Sequence, residues 1–155
     1  MTATNHILTG ATIALAVNHP AVAIPLAFVS HFALDAIPHF GDGTEDVFNR
    51  NKKRIFRIIV FTDIFFTVLT TTILLMTLSG KVSLLILLAC MLASFLPDIG
   101  IIYRFFREIK TGKWDKPTSP LMRFHLAIER EKLWGIWVEV GLAILMILLI
   151  RQLSI

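Results

Sequence analysis

Two histidine and acid pairs in this sequence have the spacing of metal ligands. His31 and Asp35 are four residues apart within an apolar stretch, so a helix would place both side chains on one face. His125 and Glu129 repeat this spacing, and His39 follows Asp35 at the same interval. Imidazole and carboxylate groups together are ligands of zinc, manganese or iron. The spacing therefore predicts a site for one or two divalent metal ions, with zinc as the first expectation and manganese or iron as alternatives.

Further ionisable side chains interrupt segments that are otherwise apolar. Asp63, Asp98 and Glu139 lie within such segments, and His6 stands at the start of another. A charged side chain at the centre of a bilayer costs at least about 2.5–3.5 kcal/mol. No Lys or Arg lies deep in these segments, so each carboxylate must be protonated, solvated or bound to a cation. The sequence favours a bound cation.

The composition indicates a membrane protein. Of the 155 residues, 55% are hydrophobic and only 17% are charged, whereas soluble domains carry about a quarter charged residues. Thirteen of the fifteen Lys and Arg residues fall in two stretches, 50–57 and 104–132. Basic clusters beside apolar runs determine topology or contact anionic lipids, so we expect a membrane and no nucleic acid as partner. We expect a single integral-membrane domain, 1–155, without a removable signal peptide, and the sequence favours no oligomeric state.

The apolar runs predict an all-α, polytopic membrane bundle of about five hydrophobic helices. Their expected bounds are Ile7–Val17, Ala21–Ile37, Ile55–Leu78, Val82–Phe106 and Leu133–Ile150. A sixth helix, Leu121–Lys132, is amphipathic and is expected to lie at the cytoplasmic interface. The first run is short for a bilayer core of about 30 Å, so it is tilted, re-entrant or shielded by its neighbours.

The positive-inside rule orients these helices. With both basic stretches in the cytoplasm, the N-terminus is cytoplasmic and the C-terminus lies outside, in a multi-pass protein of the cell's inner (plasma) membrane. Asp63 and Asp98 then each lie about eight residues, or roughly 12 Å, from the cytoplasmic end of their helix. Helices of opposite direction therefore present their ionisable groups in the same half of the membrane.

Three stretches carry a resemblance to a known family. They are NHILTG at 5–10, SHFALDAIPH at 30–39 and FLPD at 95–98. The chain resembles the small inner-membrane proteins known as membrane-bound metal-dependent hydrolases, which begin with a short His-containing helix and carry Leu-Pro-Asp at a helix end. The stretch from His31 to His39 is also similar to the His-x3-Asp helix of zinc-dependent phospholipase C. Both resemblances imply metal-dependent hydrolysis.

The predicted function is a metal-dependent hydrolase that acts on a lipid or lipid-like phosphoester from the cytoplasmic half of the bilayer. The predicted metal ligands are His6, His31, Asp35, His39, Asp63, Asp98 and His125. A bound metal lowers the pKa of a water molecule and polarises the scissile bond, and Glu129 or Glu139 would serve as the general base. An anionic headgroup would be attracted by four basic residues of one loop, Arg50, Lys52, Lys53 and Arg54.

Two other functions fit the same residues. An ion or proton transporter also uses intramembrane Asp and His, but the outer halves of the third to fifth helices contain no ionisable residue, which favours a one-sided pocket. A structural membrane protein would use the polar groups only to bond helices together. Single residues have local alternatives as well: Asp63 could hydrogen-bond to Thr62 or Thr67, and Asp98 follows Pro97 at a possible kink.

Overall fold

The structure is a computed structural model that describes residues 1–17, 19–41, 50–112 and 119–155, without the side chains of 50–53, 55 and 56. Its helices are α1 (Ala3–Val17), α2 (Pro20–Asp35), α3 (Arg50–Leu78), α4 (Leu84–Phe95), α5 (Ile99–Thr111), α6 (Pro120–Ile128) and α7 (Ile136–Leu153). Two short strands, β1 (His39–Phe40) and β2 (Glu131–Lys132), form a parallel pair. The predicted all-α bundle is confirmed.

Three stretches of the described chain are long and apolar enough to cross a membrane. They are Arg57–Leu78, Leu84–Thr111 and Leu133–Leu153. Helices α1 and α2 are apolar but have only 15 and 16 residues, or about 22–24 Å at 1.5 Å per residue. Large apolar side chains on α3 and α4 point outwards, as at Met76 and Leu85, which are 77% and 76% exposed. An apolar outer surface of this kind suits contact with lipid.

Helix α1 lies at the centre of the bundle. It packs against α2, α3, α4 and α7, so four helices surround it. Small residues permit the close approach: Ala11 and Ala14 are fully buried, and a Cβ atom added to Gly10 would lie 2.6 Å from the Cys90 carbonyl oxygen and the Ser94 Oγ. Small residues at membrane helix interfaces bring backbones together in this way. The arrangement accounts for a first helix too short to span by itself.

The fourth predicted helix, Val82–Phe106, is present within one apolar stretch, Leu84–Thr111, and is broken where the sequence indicates a possible kink. A 3-10 turn over Leu96–Asp98 separates α4 from α5, and α5 then runs to Thr111. Pro97 explains the break, because proline has no backbone N–H and its ring clashes with the preceding turn. The turn places Asp98 at the start of α5, inside the bundle.

The expected amphipathic helix Leu121–Lys132 is also shorter than predicted. Helix α6 ends at Ile128, and the chain continues as strand β2, in which Glu131 pairs with His39 of β1. The pairing is extended by two backbone hydrogen bonds, from the Arg130 N–H to the Asp35 carbonyl at 3.2 Å and from the His39 N–H to the Arg130 carbonyl at 3.1 Å. A Cβ atom on Gly135 would lie 2.1 Å from the His39 carbonyl carbon, so glycine is needed where the two segments meet.

Candidate metal centre

Five ionisable side chains from four elements meet at one end of the bundle. Three are imidazoles and two are carboxylates: His6 of α1, His31 and Asp35 of α2, Asp98 of the 3-10 turn, and His125 of α6. We call these five residues the inner cluster. The three histidines and Asp35 are at most 1% exposed, whereas the Asp98 side chain is 16% exposed. Asp98 therefore forms the most open side of the cluster.

Asp35 lies at the centre of the inner cluster. Its Oδ1 is 3.2 Å from the His6 Nε2, and its Oδ2 is 3.0 Å from the His31 Nε2 and 2.7 Å from the His125 Nε2. Asp98 stands slightly further away, with carboxylate oxygens 3.6–3.9 Å from the same three nitrogens. Four of the residues, His31, Asp35, Asp98 and His125, each offer a ligand atom within 4.8 Å of the others.

A backbone contact fixes the orientation of His31. Its Nδ1 lies 2.8 Å from the Ser94 carbonyl oxygen, which can only accept a hydrogen bond, so Nδ1 carries the proton. In the neutral imidazole the Nε2 then has a lone pair, and this atom faces the His125 Nε2 at 3.2 Å and the Asp35 Oδ2 at 3.0 Å. Lone pairs and a carboxylate at such distances require a proton or a metal ion among them.

The positive charges near the inner cluster can be identified. The amino group of Met1 lies 2.6 Å from the Asp35 Oδ1. Burial disfavours the charged form of His125, but the hydrogen bond with Asp35 and the nearby Asp98 carboxylate raise the pKa of His125 above its usual range. These two positive groups already offset part of the carboxylate charge, so a cation that enters the inner cluster would compete with them for Asp35.

Asp63 and Glu139, two of the predicted site residues, lie apart from the inner cluster and bind the start of α1. Asp63 of α3 accepts hydrogen bonds from the backbone N–H of Ala3 at 2.7 Å and from the Thr4 hydroxyl at 2.8 Å. Glu139 of α7 accepts from the Thr2 N–H at 3.2 Å and from the Thr2 hydroxyl. The first N–H groups of a helix have no partner within the helix, and its N-terminus attracts negative charge. Both carboxylates thus cap α1 from neighbouring helices.

His39 and Glu129 belong to a second group of ligand atoms. Together with Glu131, they each offer one ligand atom within 4.8 Å of the other two. Sequence reasoning had paired Glu129 with His125 on one helix, but α6 ends between them and the pair is divided between two clusters. Glu131 was not among the predicted residues. Glu129 and Glu131 are two residues apart, so both side chains would point to one side of an extended segment. This spacing was the signal that could have identified Glu131.

An apolar cavity of about 290 Å³ adjoins the inner cluster. Its wall includes His125, which connects it to the cluster, and apolar residues of α2, the 3-10 turn and α6, among them Phe28, Leu96 and Met122. Its other lining residues include Ile99 and Leu121, which are 47% and 49% exposed. The cavity can accommodate an apolar group next to the buried imidazoles.

The basic loop residues predicted to attract a headgroup are described only in part. Arg54 is exposed, whereas the side chains of Arg50, Lys52 and Lys53 lie outside the described residues. Residues 42–49, which include Asp42, Glu45 and Asp46, also lie outside them. The remaining histidine, His19, is exposed at the start of α2 and belongs to neither group of ligand residues.

Comparison of this chain with models of protein families, with curated proteins and with solved structures finds no match.

Proposed function

We propose that this protein is a membrane-embedded, metal-dependent hydrolase that acts on an amphiphilic substrate, a lipid or a lipid-like phosphoester. The proposal depends above all on one observation. In the neutral imidazole the His31 Nε2 has a lone pair, because Nδ1 donates to Ser94, and it faces the Asp35 carboxylate and the His125 Nε2 within 3.2 Å. Such an arrangement of donors, fully buried, suits a divalent cation.

The distances among the imidazoles and Asp35 support a metal in the inner cluster. Ligand atoms at about 2.0–2.1 Å from a tetrahedral zinc ion stand about 3.3 Å from one another. The three Nε2 atoms lie 2.7–3.2 Å from the Asp35 oxygens, close to that value. A divalent ion would compete for Asp35 with the Met1 amino group, which lies 2.6 Å from its Oδ1. Zinc fits this donor set first, and manganese or iron fits if the coordination number is larger.

Asp98 is the best-placed group to activate water. A divalent metal lowers the pKa of a bound water molecule towards 7 and polarises a phosphoryl or carbonyl oxygen. Asp98 is the one partly exposed member of the inner cluster and lies 3.6–3.9 Å from the imidazoles, further than Asp35. It therefore accepts the proton of the attacking water and transfers it to the leaving group. Glu139, which caps α1, and Glu129, which lies beside His39, are less suited to this role.

The apolar cavity supports an amphiphilic substrate. An acyl chain in this cavity, beside His125, would present its polar head to the inner cluster. The exposed apolar side chains around the bundle indicate that the substrate reaches the cavity from the bilayer. By the positive-inside rule we assign the cluster end of the bundle to the cytoplasmic half of the inner membrane.

The proposal is tested with the full chain purified in detergent. We expect stoichiometric divalent metal, hydrolysis of a phospholipid or a chromogenic phosphodiester, and loss of activity on chelation that zinc or manganese restores. His31→Ala should abolish both metal and activity. His19→Ala is the matched control and should change neither, because His19 is exposed and lies outside both clusters.

Reconstituted liposomes test the transport alternative with the same samples. Proton or cation flux that depends on His31 and Asp35, without hydrolysis of any ester tested, would overturn the proposal. Full hydrolytic activity in folded, metal-free protein would do the same.

A further inference from the structure

A second set of possible metal ligands lies beside the short parallel strand pair. His39 stands on β1, Glu131 stands opposite it on β2, and Glu129 precedes Glu131 by two residues. Residues two apart in an extended segment point to the same side, so both carboxylates can face the histidine. The ligand atoms of the three residues lie within 4.8 Å of one another.

The orientation of His39 matches that of a metal-binding imidazole. Its Nδ1 donates a hydrogen bond to the Ile37 carbonyl oxygen at 2.9 Å, which leaves the lone pair on Nε2. The side chain is only 2% exposed, and its Nε2 lies 3.8 Å from the Glu129 Oε1, beyond hydrogen-bond distance. The lone pair of the His39 Nε2 is thus directed at the Glu129 carboxylate, and the two groups form no hydrogen bond with each other.

The glycines around this set fix the ligand positions. A Cβ atom on Gly41 would lie 2.4–2.7 Å from three carbon atoms of the Glu131 side chain, so Glu131 lies directly over the Gly41 backbone. Gly135 has the same relation to the backbone of His39, with a Cβ distance of 2.1 Å. Side chains at these two positions would push the ligands out of place.

We propose that His39, Glu129 and Glu131 form a second divalent-cation site, distinct from the inner cluster. One imidazole and two carboxylates suit zinc or manganese. A bound ion would connect β1 to β2 through these side chains. Because the Arg130 N–H also donates to the Asp35 carbonyl at 3.2 Å, this connection would help to hold Asp35 of the inner cluster in position. The site does not depend on the proposed hydrolytic activity.

The test counts metal ions bound by the full-length protein, by titration of the chelated protein with Zn²⁺ alone and by elemental analysis after desalting. We expect two equivalents for the wild type and one for each of His39→Ala, Glu131→Gln and Gly41→Ala. Lys132→Gln, on the same strand with an exposed side chain, is the matched control and should retain two. Circular dichroism and gel filtration confirm that each variant is folded.

Co²⁺ substitution provides a second readout, because its visible absorption depends on the ligands. His39→Ala should retain the Co²⁺ absorption band of the inner cluster. His31→Ala should lack this same band. Two equivalents in folded His39→Ala and Glu131→Gln would overturn the second site, and so would one wild-type equivalent that disappears with His31→Ala. Loss of one equivalent in His39→Ala, with no change in His31→Ala, would retain the second site and contradict the proposed hydrolase centre.

Discussion

The Nε2 of His31 lies 3.0 Å from the Oδ2 of Asp35, one helical turn further along α2. The His31 ring cannot turn away, because its Nδ1 is bound to the Ser94 carbonyl and the ring stacks on His6 at a centroid distance of 4.1 Å. Pro97, close by in the 3-10 turn, interrupts the helical ladder after Ser94 and leaves carbonyl groups available to other donors. Proline and histidine thus orient the inner cluster together.

Replacement of Asp98 should separate catalysis from metal binding. Asp98→Asn keeps the size of the side chain and removes the base, while His6, His31, Asp35 and His125 remain to hold the ion. We expect unchanged metal content and a kcat lower by about 10²- to 10⁴-fold, the usual contribution of general acid–base catalysis. Paired elemental analysis and steady-state kinetics measure both. If activity persisted at wild-type level, Asp98 would not be the base.

The acids at the start of α1 should affect stability and not metal content. Asp63→Ala leaves the N–H groups of Ala3 and Thr4 without their carboxylate partner and should lower the free energy of unfolding by about 1–3 kcal/mol. Glu139→Ala should act similarly through Thr2. Denaturant unfolding in detergent, together with elemental analysis, checks this. Loss of bound metal in either folded variant would indicate that the replaced acid is a metal ligand, as the sequence predicts.

These two acids illustrate how far the sequence could predict the site. The spacing of His31 and Asp35 predicted that the two side chains share one helix face, and they lie together in the inner cluster. Asp63 and Glu139 lie at the same depth for another reason. Helix α1 begins there, and these two carboxylates accept hydrogen bonds from its first N–H groups. A capping acid can be distinguished from a candidate ligand only when the position of α1 within the bundle is known. The spacing of residues along the chain does not reveal that position.

The second ligand set escaped prediction for a different reason. The periodicity of 121–132 indicated one amphipathic helix, on which Glu131 has no relation to His39. In the structure, the helix ends at Ile128 and pairing with β1 makes the next residues extended. A contact between segments about ninety residues apart thus overrides the local preference, as is common for short strands. Pro97, by contrast, was a local signal, and the break it causes was foreseeable.

The close contact between α1 and α4 should be intolerant of a larger residue. Gly10→Ala would place a methyl group 2.6 Å from the Cys90 carbonyl oxygen and force α1 away from α4. We expect a loss of about 1–3 kcal/mol of stability from overpacking, with weaker metal binding because His6 moves with α1. Gly141→Ala is the control, since a Cβ atom there has open space within 4 Å. Equal effects of the two substitutions in thermal unfolding would contradict the packing argument.

Filling the apolar cavity should discriminate between substrates by chain length. Gly100 lines the cavity, and a Cβ atom there would lie 2.2 Å from the Met122 Cε, so Gly100→Val displaces Met122 into the space. We expect KM for a long-chain lipid to rise at least about tenfold, with little change for a short-chain ester. Gly141→Val is the matched control. Equal changes for both substrates would show that the cavity does not hold the acyl chain.

The central claim is that a metal ion lies among His6, His31, Asp35 and His125. X-ray absorption at the zinc edge tests it most directly, on zinc-loaded protein in the His39→Ala background, which excludes the second site. We expect a spectrum of several imidazole nitrogens with carboxylate oxygen at about 2.0–2.1 Å, which is lost in the additional variant Asp35→Asn and unchanged by His19→Ala. A spectrum of oxygen ligands alone, or one that Asp35→Asn leaves unchanged, would contradict it.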